Sequence, residues 1–576
     1  MPPKKTKDHE IDDKGDVRLN PLWVPLSEFS GRDLDNSPEG AKWQYAVTED
    51  GEISLGSEDV ASLIPGHQLD RLLAGVRTKQ PGLTADDLSG GLENMGHPTI
   101  AAHFDQVTGR TTSNPEGRVS GELYRIGGVS TLNDKSGRFM AEKVRGKPQT
   151  EDLERWLSGI PVTTNFMPLW SGQDAWRWAE EEDVVSVDLY PDPRDPFGAQ
   201  EGALVQDMTR SQARGPWMLM EQAAGPVNWR GVNHPKPRGL NRLWSLQAVA
   251  RGADAVCYFQ WRQSRQGAEK FHSGMVGHAG EHGRTHQEVV QLGADLARLG
   301  PHAAGGTVGA DIAVLHDWHA WWAADQEARP SARVDHADVL RAWHRALWRG
   351  GLTTDFAHPE DDLTRYKVVV VPQLYALTDA AVDNLLAHVR GGTTLVCGFL
   401  TGVADQDDRI RPGGMDARLR ELFGIRTLHE WWPLDDDESA DCDGFRGTLW
   451  SEEIEPDGTA SDTIPYKGGE LDGLPAVLRK GSAWYLSTLP EPDALRDLLA
   501  RVAADAGAHP VLDALPADVE AVRRGDLLFL LHHGRDPVTV DVPGTHRELL
   551  TDAVVTDRVT LGRYGVAVLR DPEPAS

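Results

Sequence analysis

The sequence predicts an α/β protein: two successive stretches of strand–helix alternation, then a small antiparallel β-domain, behind a polar N-terminal segment of unassigned fold. Three observations predict it. Short apolar runs recur between residues 159 and 305, each followed by a candidate crossover helix. The same alternation restarts over 306–508, and 509–576 is strand-like throughout. Runs that lack period-two alternation belong to parallel strands buried on both faces.

Residues 1–158 are polar and loop-rich, and a small structural or linker-like domain is the plainest expectation. Their clearest element is Gly121-Glu122-Leu123-Tyr124-Arg125-Ile126, broken at Gly127-Gly128 and resumed at Val129-Ser130-Thr131-Leu132, which predicts a hairpin. Over 159–305 the candidate strands are the runs 160–166, 183–190, 217–221 and 253–261, with a helix from Gly239 to Ala250. Polar side chains bunch at the C-terminal ends of these runs: Asn165, Asp188, Tyr190, Glu221, Gln260 and Arg262. In a β/α barrel that end carries the chemistry. Over 306–508 the runs 311–315, 366–372 and 392–397, with an amphipathic helix from Asp379 to Val389, predict a doubly wound domain. No Gly-x-Gly-x-x-Gly or Walker loop follows its strands, so no nucleotide is indicated. The last segment contributes 527–531, 538–542 and 565–569 as strands.

Composition narrows the partners. Of 576 residues, 39% are hydrophobic and 26% charged, and 88 acidic residues against 59 basic ones give a net charge of −29. Such a surface repels nucleic acid and anionic lipid. No window offers the roughly 20 apolar residues of a membrane helix, and the basic N-terminus lacks the apolar stretch of a secretory signal. Three cysteines, Cys257, Cys397 and Cys442, lie far apart, so a reducing cytoplasm is expected.

Glu221 ends an apolar strand and is followed by Gln222 and Trp229. A carboxylate at a barrel strand end beside an aromatic ring is what glycoside hydrolysis requires, because the cationic anomeric carbon needs an anion. On position alone, a capping or ion-paired glutamate is the other reading. Glu269 and His272 follow the last run, and that pair suits a polyol ligand.

The stretch Pro216-Trp217-Met218-Leu219-Met220-Glu221-Gln222-Ala223 resembles the nucleophile strand of glycoside hydrolase family 42 β-galactosidases. The resemblance continues through Val227-Asn228-Trp229-Arg230, Arg242-Leu243-Trp244-Ser245-Leu246-Gln247-Ala248, the segment from Phe259 to Ser273, and His278-Ala279-Gly280. Upstream it includes Val162-Thr163-Thr164-Asn165-Phe166-Met167 and Tyr190-Pro191-Asp192-Pro193. It implies that 159–305 is the C-terminal half of a TIM-type (β/α) catalytic barrel, 306–508 a trimerisation-like domain and 509–576 the family's C-terminal β-domain. Carried over, Glu221 is the nucleophile of a retaining β-galactosidase, Tyr190 lies beside it, Trp229 lies against the sugar, and Glu269 and His272 bind galactose hydroxyls. A β-galactoside substrate, a homotrimer and no cofactor are implied.

The family takes its general acid/base from an Asn-Glu pair on the fourth barrel strand, and no Asn-Glu-Tyr precedes Ile160. Glu93-Asn94 reverses the order and Glu122 lies in the hairpin, so the general acid/base is left unassigned and impaired catalysis is expected. Half a barrel leaves two unpaired edges and an open core, so either residues 1–158 cap that edge, another chain does, or the junction is a fusion or assembly artefact. The alternative is an inactive remnant that binds sugar or assembles. His272, His278, His282, His286, His316 and His319 cluster in sequence, but without metal-ligand spacing, so no metal is expected.

Overall fold

The computed structural model describes residues 161–571 except Arg214, together with the backbone of strands between residues 24 and 133. The chain divides into two compact units, Met1–Asn165 with Glu180–Val185, and Phe166–Ala179 with Ser186–Ser576. In the first unit, β1 (Val24–Pro25), β2 (Lys42–Thr48) and β3 (Ile53–Ser57) precede a short pair, β4 (Phe104–Asp105) and β5 (Arg110–Thr111). Then come β6 (Gly117–Ile126) and β7 (Val129–Asn133), and five strands form an antiparallel sheet in the order β1-β3-β2-β6-β7. The expected hairpin is β6–β7, with Ile126 opposite Val129.

Four strands alternate with four helices in the barrel half. They are β8 (Asn165–Phe166), α1 (Ala175–Ala179), β9 (Val185–Asp188), α2 (Gly198–Gln212), β10 (Trp217–Glu221), α3 (Leu240–Ala250), β11 (Ala253–Val256) and α4 (Arg284–Ala303). The sheet order is β11-β10-β9-β8, and β10 runs parallel to β11. All four residues of β9 are buried, as an apolar run without alternation requires. The run 253–261 leaves the sheet after Val256: Cys257 N–H still reaches Leu219 O at 2.8 Å and Phe259 N–H reaches Gln222 O at 3.1 Å, and the chain then turns into the site.

The α/β domain begins with β12 (Ile312–Leu315), α5 (Trp318–Ala324), α6 (His336–Arg349), β13 (Thr354–Ala357), β14 (Val368–Val371), α7 (Asp379–Arg390), β15 (Thr394–Gly398) and α8 (Ala417–Phe423). Thr378 starts α7 by accepting the Ala381 N–H at 2.9 Å, and Gly391 ends it. Eight strands and one helix follow: β16 (Ile425–Pro433), β17 (Ala440–Cys442), β18 (Phe445–Thr448), β19 (Trp450–Pro456), β20 (Asp462–Pro465), β21 (Pro475–Lys480), β22 (Ala483–Leu486), β23 (Leu489–Pro490) and α9 (Pro492–Asp505). The main sheet runs β13-β12-β14-β15-β22-β21-β20, parallel through β22 and antiparallel beyond it. The doubly wound core is as expected, whereas the β-rich addition over 425–465 is not, because β16, β17, β18 and β20 carry no continuous buried run and the buried start of β19 is partly polar.

The C-terminal sheet holds β24 (Val519–Arg524), β25 (Leu527–His532), β26 (Val538–Glu548), β27 (Ala553–Leu561) and β28 (Val566–Arg570), ordered β24-β25-β28-β26-β27 and antiparallel. Strand β25 is buried on both faces. Leu527, Phe529 and Leu531 pack into one cluster with Leu243, Leu246 and Ala250 of α3 and Leu292 and Leu299 of α4, while Leu528 and Leu530 point into a second. Period-two side-chain direction thus joins the barrel half to the terminal domain.

An ionic hub joins three domains. Asp207 of α2 accepts from Arg210 at 2.6 Å, Arg251 at 2.5 Å and His344 of α6 at 3.0 Å. Arg210 also reaches Asp355 of β13 at 2.9 Å, and Arg251 reaches Glu520 of β24 at 2.8 Å. All these partners are shielded, so each charge depends on the others. Among the described residues no helix is long and apolar enough to cross a membrane.

Candidate active site

Glu221 is the last residue of β10, and Tyr190 lies two residues past the end of β9. The Tyr190 hydroxyl donates to Glu221 Oε2 at 2.7 Å. Burial pushes the Tyr190 phenol far above its usual pKa and the Glu221 charge pushes it further, so Tyr190 stays a donor. Its own carbonyl accepts from Arg230 Nη2, and Arg230 Nε stands 3.7 Å from Asp192. The loops after β9 and β10 are thereby tied together.

Aromatic rings wall the space. Trp229 meets Tyr190 edge-on with centroids 5.0 Å apart, His272 stands 5.2 Å from Trp229 and 6.0 Å from Tyr190, and Phe259 packs 4.8 Å from His272. Trp229 is 56% exposed and His272 is fully buried. His272 Nδ1 lies 2.9 Å from the Ser273 carbonyl, which only accepts, so Nδ1 carries the proton. Its Nε2 is buried without a hydrogen-bond partner among the described residues.

Local backbone chemistry places these rings. Ser273 N–H donates to Pro226 O at 2.9 Å and its Oγ accepts from Gly225 N–H at 2.8 Å, which pins His272 against the loop after β10. Gly274 permits the close approach, since a Cβ there would meet Gln263 N at 2.5 Å. Glu269 sits on a 3-10 turn, Ala268–Phe271, and is exposed. Asn228 Nδ2 donates to Glu269 Oε2 at 2.9 Å and to Ala268 O at 3.0 Å, bridging the loops after β10 and β11. Behind the strand end, the buried Lys236 ammonium donates to Gln222 Oε1 at 3.1 Å, Ala223 O at 2.6 Å and Asn241 Oδ1 at 2.9 Å.

Tyr190, Glu221, Trp229 and His272 therefore meet directly, and Glu269 joins them through Asn228. Sequence reasoning missed the bridging role of Asn228, the ring of Phe259, and Lys236. The first two lie in the quoted motif segments, but Lys236 carries no sequence signal. The side chains of Glu93 and Glu122, and any carboxylate of residues 1–158 facing Glu221, lie outside the described residues. His278 Nε2 pairs with Ser264 O at 2.8 Å, and His316 Nδ1 with His336 Nε2 at 3.1 Å. Among the described residues no three His, Cys, Asp or Glu side chains are grouped to hold a metal.

A strand-end carboxylate fixed by a phenol inside an aromatic cage is the arrangement of a carbohydrate-active β/α protein. Comparisons with known proteins give the family. Residues 137–299 match the β-galactosidase model of glycoside hydrolase family 42, 310–509 its β-galactosidase trimerisation domain and 518–571 its β-galactosidase C-terminal domain. A β-galactosidase of Alicyclobacillus acidocaldarius is 34% identical over 483 residues, covering 77% of this chain and 68% of its own. One from Geobacillus kaustophilus is 37% identical over 464 residues, covering 77% and 66%. The crystal structure of a β-galactosidase from Bacillus circulans sp. alkalophilus superposes with a TM-score of 0.70 at 31% identity, covering 73% of this chain and 65% of that one. The chain belongs to glycoside hydrolase family 42, with a partial TIM-type barrel, a trimerisation domain and a C-terminal β-domain. It spans 61–66% of the length of the first four curated relatives.

Proposed function

We propose that the chain acts as a retaining β-galactosidase, hydrolysing terminal β-D-galactosides through a covalent galactosyl intermediate on Glu221. The observation that carries this reading is the 2.7 Å hydrogen bond from Tyr190 to the Glu221 carboxylate at the end of β10. That bond aims one carboxylate oxygen. Glu221 attacks the anomeric carbon, the glycosidic C–O bond breaks, and the leaving oxygen takes a proton. Water then attacks the same carbon, the ester C–O bond to Glu221 breaks, the water's proton passes to solvent, and the free carboxylate returns. Trp229 offers an apolar face to the sugar, Glu269 accepts from its hydroxyls, and His272 Nε2 is an acceptor awaiting a donor. No cofactor enters this chemistry.

The proton for the leaving oxygen is the weak link, since no Asn-Glu pair precedes Ile160. The polypeptide as written therefore turns over activated aryl galactosides while hydrolysing unactivated ones very slowly. A general acid contributes about 10²–10⁴-fold, most of it to poor leaving groups. In kcat/KM measurements on the full chain, nitrophenyl galactoside should exceed lactose by a factor of that order, and Glu221→Gln should abolish both. Comparable rates would place a working acid in the chain and refute impairment. No turnover of either substrate would leave the second reading, an oligomeric sugar-binding or assembly protein. The proposal includes domain limits of 1–158, 159–305, 306–508 and 509–576, a trimer formed through 306–508, and a cytoplasmic location.

A further inference from the structure

An open cavity of about 450 Å³ lies beside the loop that follows β10, lined by five basic residues and two prolines. The basic residues are Arg194, His234, Lys236, Arg284 and Arg535, and no acid lines it. In a chain of net charge −29 this concentration runs against the composition. Arg194 and Arg535 are exposed, and neither guanidinium pairs with a carboxylate among the described residues. Arg284 donates to the Lys236 carbonyl at 3.1 Å and stands 3.4 Å from Glu288, a partly exposed pair of little strength.

Two observations point to an anion-binding role. Lys236 is 4% exposed, yet its three hydrogen bonds go to neutral acceptors, and burial pushes its pKa down to about 7. His234 Nδ1 is buried without a hydrogen-bond partner among the described residues. Arg284 is also the first residue of α4, a 20-residue helix, so the positive end of that helix dipole stands at the rim. Like charges gathered in one concavity repel unless an anion joins them, and guanidinium forks match tetrahedral oxyanions.

We propose that this cavity binds a phosphate-type oxyanion, either free or as the phosphate ester of a small molecule, held by Arg194, Arg284 and Arg535. The aromatic cage around Glu221 shares none of its lining residues. The binding of an oxyanion there does not rest on the assignment of Glu221.

Calorimetry on the full chain, in a phosphate-free buffer of low ionic strength, tests it with sodium phosphate and a hexose 6-phosphate as probes. The expected result is saturable binding of one oxyanion per chain, absent with sodium chloride at equal ionic strength. The double variant Arg194→Ser, Arg535→Ser should weaken it by at least about tenfold, the effect of losing a charge-assisted hydrogen bond. Both residues are exposed, so an unchanged melting temperature shows that the fold is intact. Tighter binding of the ester identifies a phosphate ester as the ligand, and equal or tighter binding of inorganic phosphate identifies the free ion. Absence of saturable binding, or affinity unchanged in the double variant, overturns the proposal.

Discussion

Tyr190 is kept protonated from two directions, by burial and by the charge of Glu221, so its hydroxyl donates across the whole working pH range. In Tyr190→Phe the ring still meets Trp229 and His272, and only the bond to Glu221 is lost. A hydrogen bond to a charged group contributes about 1.5–3 kcal/mol. Because the bond aims the attacking carboxylate, its loss lowers kcat/KM for an aryl galactoside roughly 10–100-fold. Thermal unfolding should be nearly unchanged, and a loss below about twofold would deny Tyr190 this role. At this scale the sequence discloses position better than partnership. Glu221 at a strand end and Trp229 in the next loop are legible from order along the chain. That Asn228 would bridge to Glu269, or that Lys236 would fold back beneath Gln222, is not, because a polar loop residue does not announce its acceptor.

Elements with one strong local signal were legible. The four valines Val368–Val371 form a buried parallel strand, and Thr378 with Gly391 bounds α7 as a cap and a stop should. The strands over 425–465 were not, since the burial of β16 and β20 alternates or is partial and β18 and β20 find partners in β23 and β21, further along the chain. The Asp207 hub was equally invisible, because Arg251 and Glu520 lie 269 residues apart. Its energetics can be tested. Burial alone would raise both carboxyl pKa values, but Arg251 and Arg210 hold Asp207 well below its usual range, and Arg251 with His533 brings Glu520 down to about 2. Groups with a depressed folded pKa add stability above their unfolded values, here 3.8 and 4.5, and lose it as pH falls through the folded values. Urea unfolding should therefore show stability falling steadily from about pH 4.5 to pH 2, and Glu520→Gln should flatten part of that slope. At neutral pH, Asp207→Ala takes one of two carboxylate partners from each of two buried guanidiniums, which keep Asp355 and Glu520, and should cost up to about 3 kcal/mol. A loss under about 1 kcal/mol would mean that the hub is decorative.

In the described barrel half and the domains after it, α3 and α4 bury against β25, and the Asp207 hub ties α2 and the C-terminal end of α3 to α6, β13 and β24. The barrel half is thus braced by the two domains that follow it. The trimerisation-domain match over 310–509 leads to the expectation of a closed ring. Light scattering at micromolar concentration should give the mass of three chains, and a monomer would remove the trimer. The central claim, a covalent bond to Glu221, is most directly tested by trapping with a 2-deoxy-2-fluoro-β-galactoside that carries a dinitrophenolate leaving group. That leaving group departs without protonation, so the test does not depend on where the general acid lies. The account predicts that one fluorogalactosyl group per chain accumulates and that fragmentation mass spectrometry places it on Glu221. A label on another carboxylate, or none while Glu221→Gln and the unmodified chain behave alike, would contradict it.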